Sequence, residues 1–273
     1  MTASPIIRDT TADEQFQLAV REQFPESYEF EARYVEHEMA HIGHLFATGM
    51  CPVDGKEVLE FGCNIGATSI VLAHYGARVT AVDINPAHLE MARLNTRRYG
   101  SLGVRFQTIG EGEPLPFSDK QFEVITCNSV LEYVRPELLA GVQRELNRVL
   151  RPGGLLLVFG TSNRLSPVEM HSGEWFNNYI PRRFDRISGR GRERGVWPWE
   201  LRRGLGPGYE DLFSGRTGTQ RYIELKQAMG LNGGKLQLLK SLGVLFAISP
   251  VSVPLVLPYA TVLLRKPADD ARR

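Results

Sequence analysis

Cysteine is scarce in this chain. Cys51, Cys63 and Cys127 stand far apart, and none belongs to a C-x-x-C pair. This pattern indicates neither a disulfide scaffold nor a cysteine-based zinc site, and it fits a reducing compartment. An excess of one charge is missing too. Lys and Arg number 32 against 31 Asp and Glu, a net charge of +1, so no overall field draws the chain to nucleic acid. No stretch matches G-x-x-x-x-G-K-[ST], which removes the P-loop. The opening residues, MTASPIIRDTTADEQ, are polar and partly acidic and lack the charged-then-apolar layout of a signal peptide, so a cytoplasmic protein is expected. The strongly apolar run GVLFAISPVSVPLVLPYATVLL is interrupted by Pro250, Pro254 and Pro258. A spanning helix is therefore disfavoured. A buried helix and strand, or a surface that touches lipid, is expected instead.

What is present is alternation. Residues 12–47 read as helical, with Gly49, Pro52 and Gly55 marking the end. KEVLEFG is a short buried-strand pattern closed by glycine, IGATSIVLAHYG a helix and ARVTAVDI a strand. NPAHLEMARLNTRRYG is a helix with Asn85 at the N-cap and Pro86 in the first turn. VRFQTI and FEVITCNS are strands, RPELLAGVQRELNRVLRPGG a helix stopped by Pro152 and Gly153, and LLLVFG a strand. Strands alternating with helices over 56–160 imply an α/β fold, with a doubly wound, mainly parallel sheet. At the C-terminus YATVLLRKP reads as a last strand.

The main chemical signal is VLEFGCNIG. A strand ends near Glu60, a glycine turn follows, and a helix begins, which is where open α/β sheets bind ligands. Asp83 closes the next strand, about 20 residues on, where a carboxylate can hold ribose hydroxyls. The dinucleotide fingerprint needs a second glycine so that backbone can approach a pyrophosphate. Asn64 stands there instead. The expected ligand is thus a nucleoside without phosphates.

With these residues in place, the sequence resembles the class I S-adenosylmethionine-dependent methyltransferases over roughly 56–165. VLEFGCNIG is similar to the family's glycine motif, AVDIN to its ribose-binding motif and GEGEPLPFSDKQFEVI to its adenine-loop segment. CNSVLEYV resembles the segment after the fourth strand, and LNRVLRPGGLLLV the helix and fifth strand. The departures are Asn64 for glycine, Glu111 for aspartate, and Tyr133 where histidine is frequent. The resemblance implies a seven-stranded Rossmann-like methyltransferase fold and S-adenosyl-L-methionine as cofactor. By the same resemblance, Gly62, Cys63 and Gly66 line the methionine part through backbone, and Glu60 faces its ammonium. Asp83 takes both ribose hydroxyls, and Ile84 packs on adenine. Glu111 accepts from the adenine amino group, with the Gly112 backbone at the ring. Asn128 and Ser129 border the sulfonium.

Two histidine signals compete for a catalytic role. HEMAH, residues 37–41, matches H-E-x-x-H, so a zinc hydrolase using His37, Glu38 and His41 is the alternative reading. No third ligand follows at metalloprotease spacing. A polar stripe on a helix that covers the cleft, shared with His44, is the plainer account, and no metal is expected. Downstream, TSNRLSPVEMHSGEWFNNYIPRR enters the crevice just past the fifth strand. There His171 is the candidate general base, with Glu169 to orient it. A structural His171 is the competing account, and a non-catalytic module that only binds the cofactor is a third reading of the whole chain.

Arg182, Arg183, Arg186, Arg190, Arg192, Arg194, Arg202 and Arg203 crowd one segment. They read as a solvated face, an anion site, or a membrane-surface contact. Trp175, Trp197 and Trp199 are core or wall an apolar acceptor. The expected organisation is a helical lid over 1–55, a cofactor core over 56–160, a substrate cap over 161–240, and an apolar segment with the last core strand over 241–273. The expected partner is a small, fairly apolar acceptor, neutral or anionic, methylated on O, N or C.

Overall fold

The computed structural model describes residues 9–100, 102–170, 172–180, 194–249 and 251–268. The strands are β1 (Glu57–Phe61), β2 (Arg78–Asp83), β3 (Arg105–Thr108), β4 (Phe122–Asn128), β5 (Leu150–Ser162), β6 (Glu210–Asp211) and β7 (Tyr259–Arg265). They form one sheet in the order β3-β2-β1-β4-β5-β7-β6. The pairs β1/β2, β1/β4 and β2/β3 are parallel, and β7 runs antiparallel to β5 and β6. The expected doubly wound, mainly parallel sheet of seven strands is therefore present. Its order reverses at β1, between β2 and β4, which creates a crevice at the strands' carboxyl ends. The chain divides into two compact units, Met1–Thr126 and Cys127–Arg273.

In the first unit the helices are α1 (Thr10–Gln23), α2 (Tyr28–Ala32), α3 (Tyr34–Ala40), α4 (Gly43–Ala47), α5 (Ala67–His74) and α6 (Pro86–Arg97). The α6 start is as expected: the Asn85 side chain accepts from Ala87 N–H at 3.0 Å, with Pro86 in the first turn. The stretch expected to be helical over 12–47 comprises four helices. α1 stops ahead of Pro25, which disfavours helical backbone at Phe24 (φ −130°, ψ 57°). His41 leaves the helical region at ψ −84°, separating α3 from α4. His37, His41 and His44 thus do not share the face of one continuous helix.

These N-terminal helices, expected as a lid, pack into the same unit as β1–β3. Phe16 and Val20 of α1 join Ile65 and Met91 in one apolar cluster. Arg98, fully buried, binds Asp13 Oδ1 through Nε at 2.6 Å and reaches the Ala32 carbonyl and Asn95 Oδ1. A buried guanidinium needs such a full set of acceptors, and it clamps α1 and α2 to the end of α6.

Gly66 is required at the turn into α5. Its φ is +77°, and a Cβ there would meet the Ala92 Cβ on α6 at 2.9 Å. Gly66→Ala combines left-handed strain with overpacking against a helix that cannot withdraw, so a loss of about 1–3 kcal/mol is expected. Urea unfolding of the two proteins checks it; equal midpoints would disprove it.

The second unit holds β5–β7 and the helices α7 (Pro136–Val149), α8 (Gly215–Ala228) and α9 (Gly233–Phe246). α7 buries Leu139, Val142, Leu146 and Val149, one helical stripe. The two-residue strand β6 interrupts the cap expected over 161–240 by joining the sheet at Glu210–Asp211. Two residues carry no periodicity, so no sequence pattern could reveal it. Among the described residues no helix is long and apolar enough to cross a membrane.

Candidate functional site

The turn after β1 is built by backbone. The N–H groups of Gly62 and Cys63 both donate to the Val82 carbonyl, at 2.8 and 3.0 Å, tying the turn to β2. Gly62 and Gly66 take positive φ, as does Asn64 at 48°. Asparagine is among the few residues that tolerate this region, which explains how it replaces glycine there. The Asn64 side-chain oxygen is buried with no hydrogen-bond partner.

Asp83 closes β2 beside this turn. Its two carboxylate oxygens accept from Asn64 N–H and Asn85 N–H, each at 2.9 Å, and His88 Nδ1 lies 3.5 Å away. Burial alone would raise its pKa, but the His88 side chain and the two backbone donors outweigh burial and hold it below the usual carboxylate value. A negative charge is thereby fixed at the strand end. The next residue, Ile84, is 56% exposed, unusual for a large apolar side chain following a buried strand. Glu111 and Gly112 sit on an exposed turn after β3.

Glu60 behaves in the opposite way. It is buried in β1 and accepts from the Ser69 hydroxyl. Burial pushes its pKa to about 8; Glu38 and Asp83 add to the rise, while Ser69 and Thr68 oppose it. Glu38, the glutamate of HEMAH, is itself buried and takes the Tyr34 phenol proton in a hydrogen bond. Sequence reading missed this pairing of Glu38 with Glu60. The zinc alternative is corrected accordingly. A hydrolytic base must face a metal-bound water, whereas Glu38 is buried and engaged by Tyr34. His41 Nδ1 lies 2.6 Å from the His37 carbonyl, and the two imidazole rings stack at 4.0 Å. Among the described residues no group of three His, Cys, Asp or Glu side chains could hold a metal ion. Burial, then Glu60 and Asp83, raises the Cys63 thiol well above its usual pKa, so it stays protonated.

In the second unit, Ser129 follows β4 with φ 49° and donates from its hydroxyl to the Gly160 carbonyl at 3.1 Å. A Cβ on Gly160 would meet Ser129 Oγ at 2.8 Å and Asn128 Oδ1 at 3.2 Å. Asn128 and Ser129 therefore lie against the bulge in β5, and left-handed backbone at a serine is the kind of strain that gathers at functional sites. Glu169 is fully buried, accepting from Ser162 Oγ at 3.2 Å and from Ser172 N–H at 2.6 Å. His171 lies outside the described residues, as do Arg182, Arg183, Arg186, Arg190 and Arg192. Arg194 is buried and donates to the Ile180 carbonyl, and Arg202 pairs with Asp211 at 2.5 Å. These two arginines are structural rather than a solvated face. Trp197 and Trp199 stack at 4.7 Å, with the Arg164 guanidinium over Trp197. A cavity of about 170 Å³ beside them is lined by Leu131, Glu132, Val134, Leu139, Arg164 and Val196, among others. Glu132 and Arg164 lie in the segments CNSVLEYV and TSNRLSP, but sequence reading gave neither of them a role.

Comparison with known proteins agrees with this architecture. Residues 59–158 match the family described as a methyltransferase domain. The ubiquinone biosynthesis O-methyltransferase of Methylocella silvestris is 37% identical over 114 residues, 41% of this chain and 42% of that protein. The enzyme of the same name from Albidiferax ferrireducens is 31% identical over 137 residues, 49% of this chain and 53% of its own. The demethylmenaquinone methyltransferase of Tropheryma whipplei is 38% identical over 104 residues, 38% of this chain and 41% of its own. The chain spans about half the length of the curated relatives it matches. A solved S-adenosylmethionine-dependent methyltransferase from Mesorhizobium loti shares the fold, with TM-score 0.52 and 16% identity over 82% of this chain and 98% of that one.

Proposed function

We infer from the methyltransferase-domain match over residues 59–158 that this chain is a class I S-adenosylmethionine-dependent methyltransferase and transfers a methyl group to a small, fairly apolar acceptor. The observation that carries the reading is the pair of carboxylates with opposite titration at adjacent strand ends. Asp83 stays charged, suited to accept two ribose hydroxyls, with the exposed Ile84 as an apolar face for adenine. Glu60 is held largely protonated near neutrality and needs a cation to ionise, as the methionine α-ammonium would supply. The partnerless Asn64 oxygen beside the turn is a further acceptor. S-adenosylmethionine contributes an activated methyl carbon when bound. The chain's own residues then orient the two partners, exclude water and remove a proton where the acceptor is a hydroxyl.

Asn128 and Ser129 are assigned to the border of the sulfonium, and Glu111 with the Gly112 backbone to adenine. His171 is assigned the proton. Glu169 accepts from Ser162, earlier in the chain, and from Ser172, just after His171, which makes it a positioning residue. Relatives named for ubiquinone biosynthesis and for demethylmenaquinone suggest a quinone-related acceptor. Stacked Trp197 and Trp199, with the Glu132–Arg164 cavity, suit such an acceptor.

The test is titration calorimetry with S-adenosylhomocysteine in buffers of different ionisation enthalpy. With a Glu60 pKa of about 8, binding at pH 7 should release close to one proton. Affinity should rise with pH up to about 8, and Glu60→Gln should abolish the release. The sign follows from a folded-state pKa raised above the unfolded 4.5. Without ligand, Glu60 costs stability as pH rises between those values, and a bound cation removes the cost. Binding of NAD with no binding of S-adenosylmethionine or its product would overturn the assignment. Turnover with a cell extract, followed by mass spectrometry, identifies the acceptor.

A further inference from the structure

Helix α9 carries apolar side chains on two opposite sides, the outer one shared with the exposed polar residues Gln237 and Ser241. Its inner side carries Leu239 and Gly243, both buried. Gly243 lies so near α8 that a Cβ would meet Ile223 Cδ1 and Thr219 Cγ2 at 3.0 Å. On the opposite side Leu238, Val244, Leu245 and Ile248 are 63%, 76%, 70% and 91% exposed. Their spacing places them on one stripe, and Val251, 40% exposed, follows beyond the helix end. Buried helices of soluble domains do not need such a second face, and large clustered exposed side chains mark contact surfaces.

Charge decides among the occupants. From Leu225 through Ala268 there is no Asp or Glu, while Lys226, Lys235, Lys240, Arg265 and Lys266 fall in the same stretch. Lys235 and Lys240 are exposed, and the 100° advance per residue sets one on each flank of the apolar stripe. A second copy of α9 would bring lysine against lysine with no carboxylate on the helix to answer it. An anionic lipid surface answers both features at once. With 14 residues the helix can lie in such a surface but cannot cross it.

We propose that the outer face of α9, continued by Ile248 and Val251, seats the protein on an anionic lipid surface. The apolar side chains enter the acyl boundary, and Lys235 and Lys240 meet headgroup phosphates. This contact stands independently of the methyl-transfer reading, because it draws on no residue of the cofactor turn. The full-length protein should co-sediment with mixed phosphatidylglycerol–phosphatidylcholine vesicles and release them at high salt. The double variant Leu245→Gln, Ile248→Gln should bind them about tenfold or more weakly, given the apolar area withdrawn. Lys235→Gln with Lys240→Gln should remove the preference for phosphatidylglycerol over pure phosphatidylcholine. Thermal melting of each variant beside wild type separates lost contact from lost fold. Failure of wild type to bind, or equal binding by well-folded variants, would overturn the proposal. So would a wild-type dimer in sedimentation equilibrium that Leu245→Gln, Ile248→Gln converts to monomer, since the face would then belong to a second copy.

Discussion

Asp83→Ala should weaken S-adenosylhomocysteine binding by about 3 kcal/mol or more, over a hundred-fold, since a hydrogen bond to a charged group contributes about 1.5–3 kcal/mol and two ribose hydroxyls are at stake. The loss has a second source. The same carboxylate accepts from Asn64 N–H and Asn85 N–H, so its removal also loosens the turn that shapes the pocket. Asp83→Asn separates the two, because an amide keeps one acceptor oxygen and a similar shape but loses the charge. Its affinity should fall between wild type and alanine. Since the Asp83 pKa is held below the usual value, the residue stays ionised throughout the neutral range. The affinity gap between wild type and Asp83→Ala should therefore not change between mildly acidic and mildly basic buffer, unlike the Glu60-linked term. Calorimetry across that range reads both. An alanine variant that binds within a few-fold of wild type would remove Asp83 from the ribose site.

The chemical step is expected to depend most on His171. His171→Ala should reduce it by about 10²- to 10⁴-fold, the usual contribution of a general base. Cofactor affinity should change little, because His171 lies outside the motifs that line the β1–β2 turn. The wild-type rate should rise with pH through about 6.5, where an unperturbed imidazole loses its proton. Single-turnover kinetics over pH, with calorimetry alongside, gives the answer. A folded variant with full turnover would eliminate His171 as the base, and an unchanged pH profile on a less stable variant would assign it a structural role. Glu169→Gln gives a milder comparison. Its carboxylate already accepts from Ser162 and Ser172, so the change should act on segment order more than on the proton itself.

Much of the fold was legible because it is local. The alternation of strand and helix through 56–160 depends on periodicity and on punctuation such as Asn85–Pro86, and these act within a few residues. The glycine turn and the acidic strand end were legible for the same reason. Their spacing follows from the length of one helix and one strand. The helical stretch 12–47 was not read as four pieces: Pro25 marks the end of α1, but the break at His41 has no proline and only Gly43 beside it. Strand β6 was invisible because two residues have no pattern, and β7 alone gives them a partner.

By itself the sequence determined the sheet's alternating plan, the turn that replaces glycine with Asn64, and the carboxylate that ends β2. Only the tertiary structure decided what HEMAH does. Glu38 and Glu60 belong to different elements, and no spacing rule connects them. α3 packs against α5, both carboxylates are buried, and burial near a like charge is what holds Glu60 protonated. The same distinction separates the apolar residues of α9. Their hydrophobicity is written in the chain, but which of them face α8 and which face outward was settled when Gly243 let the two helices close.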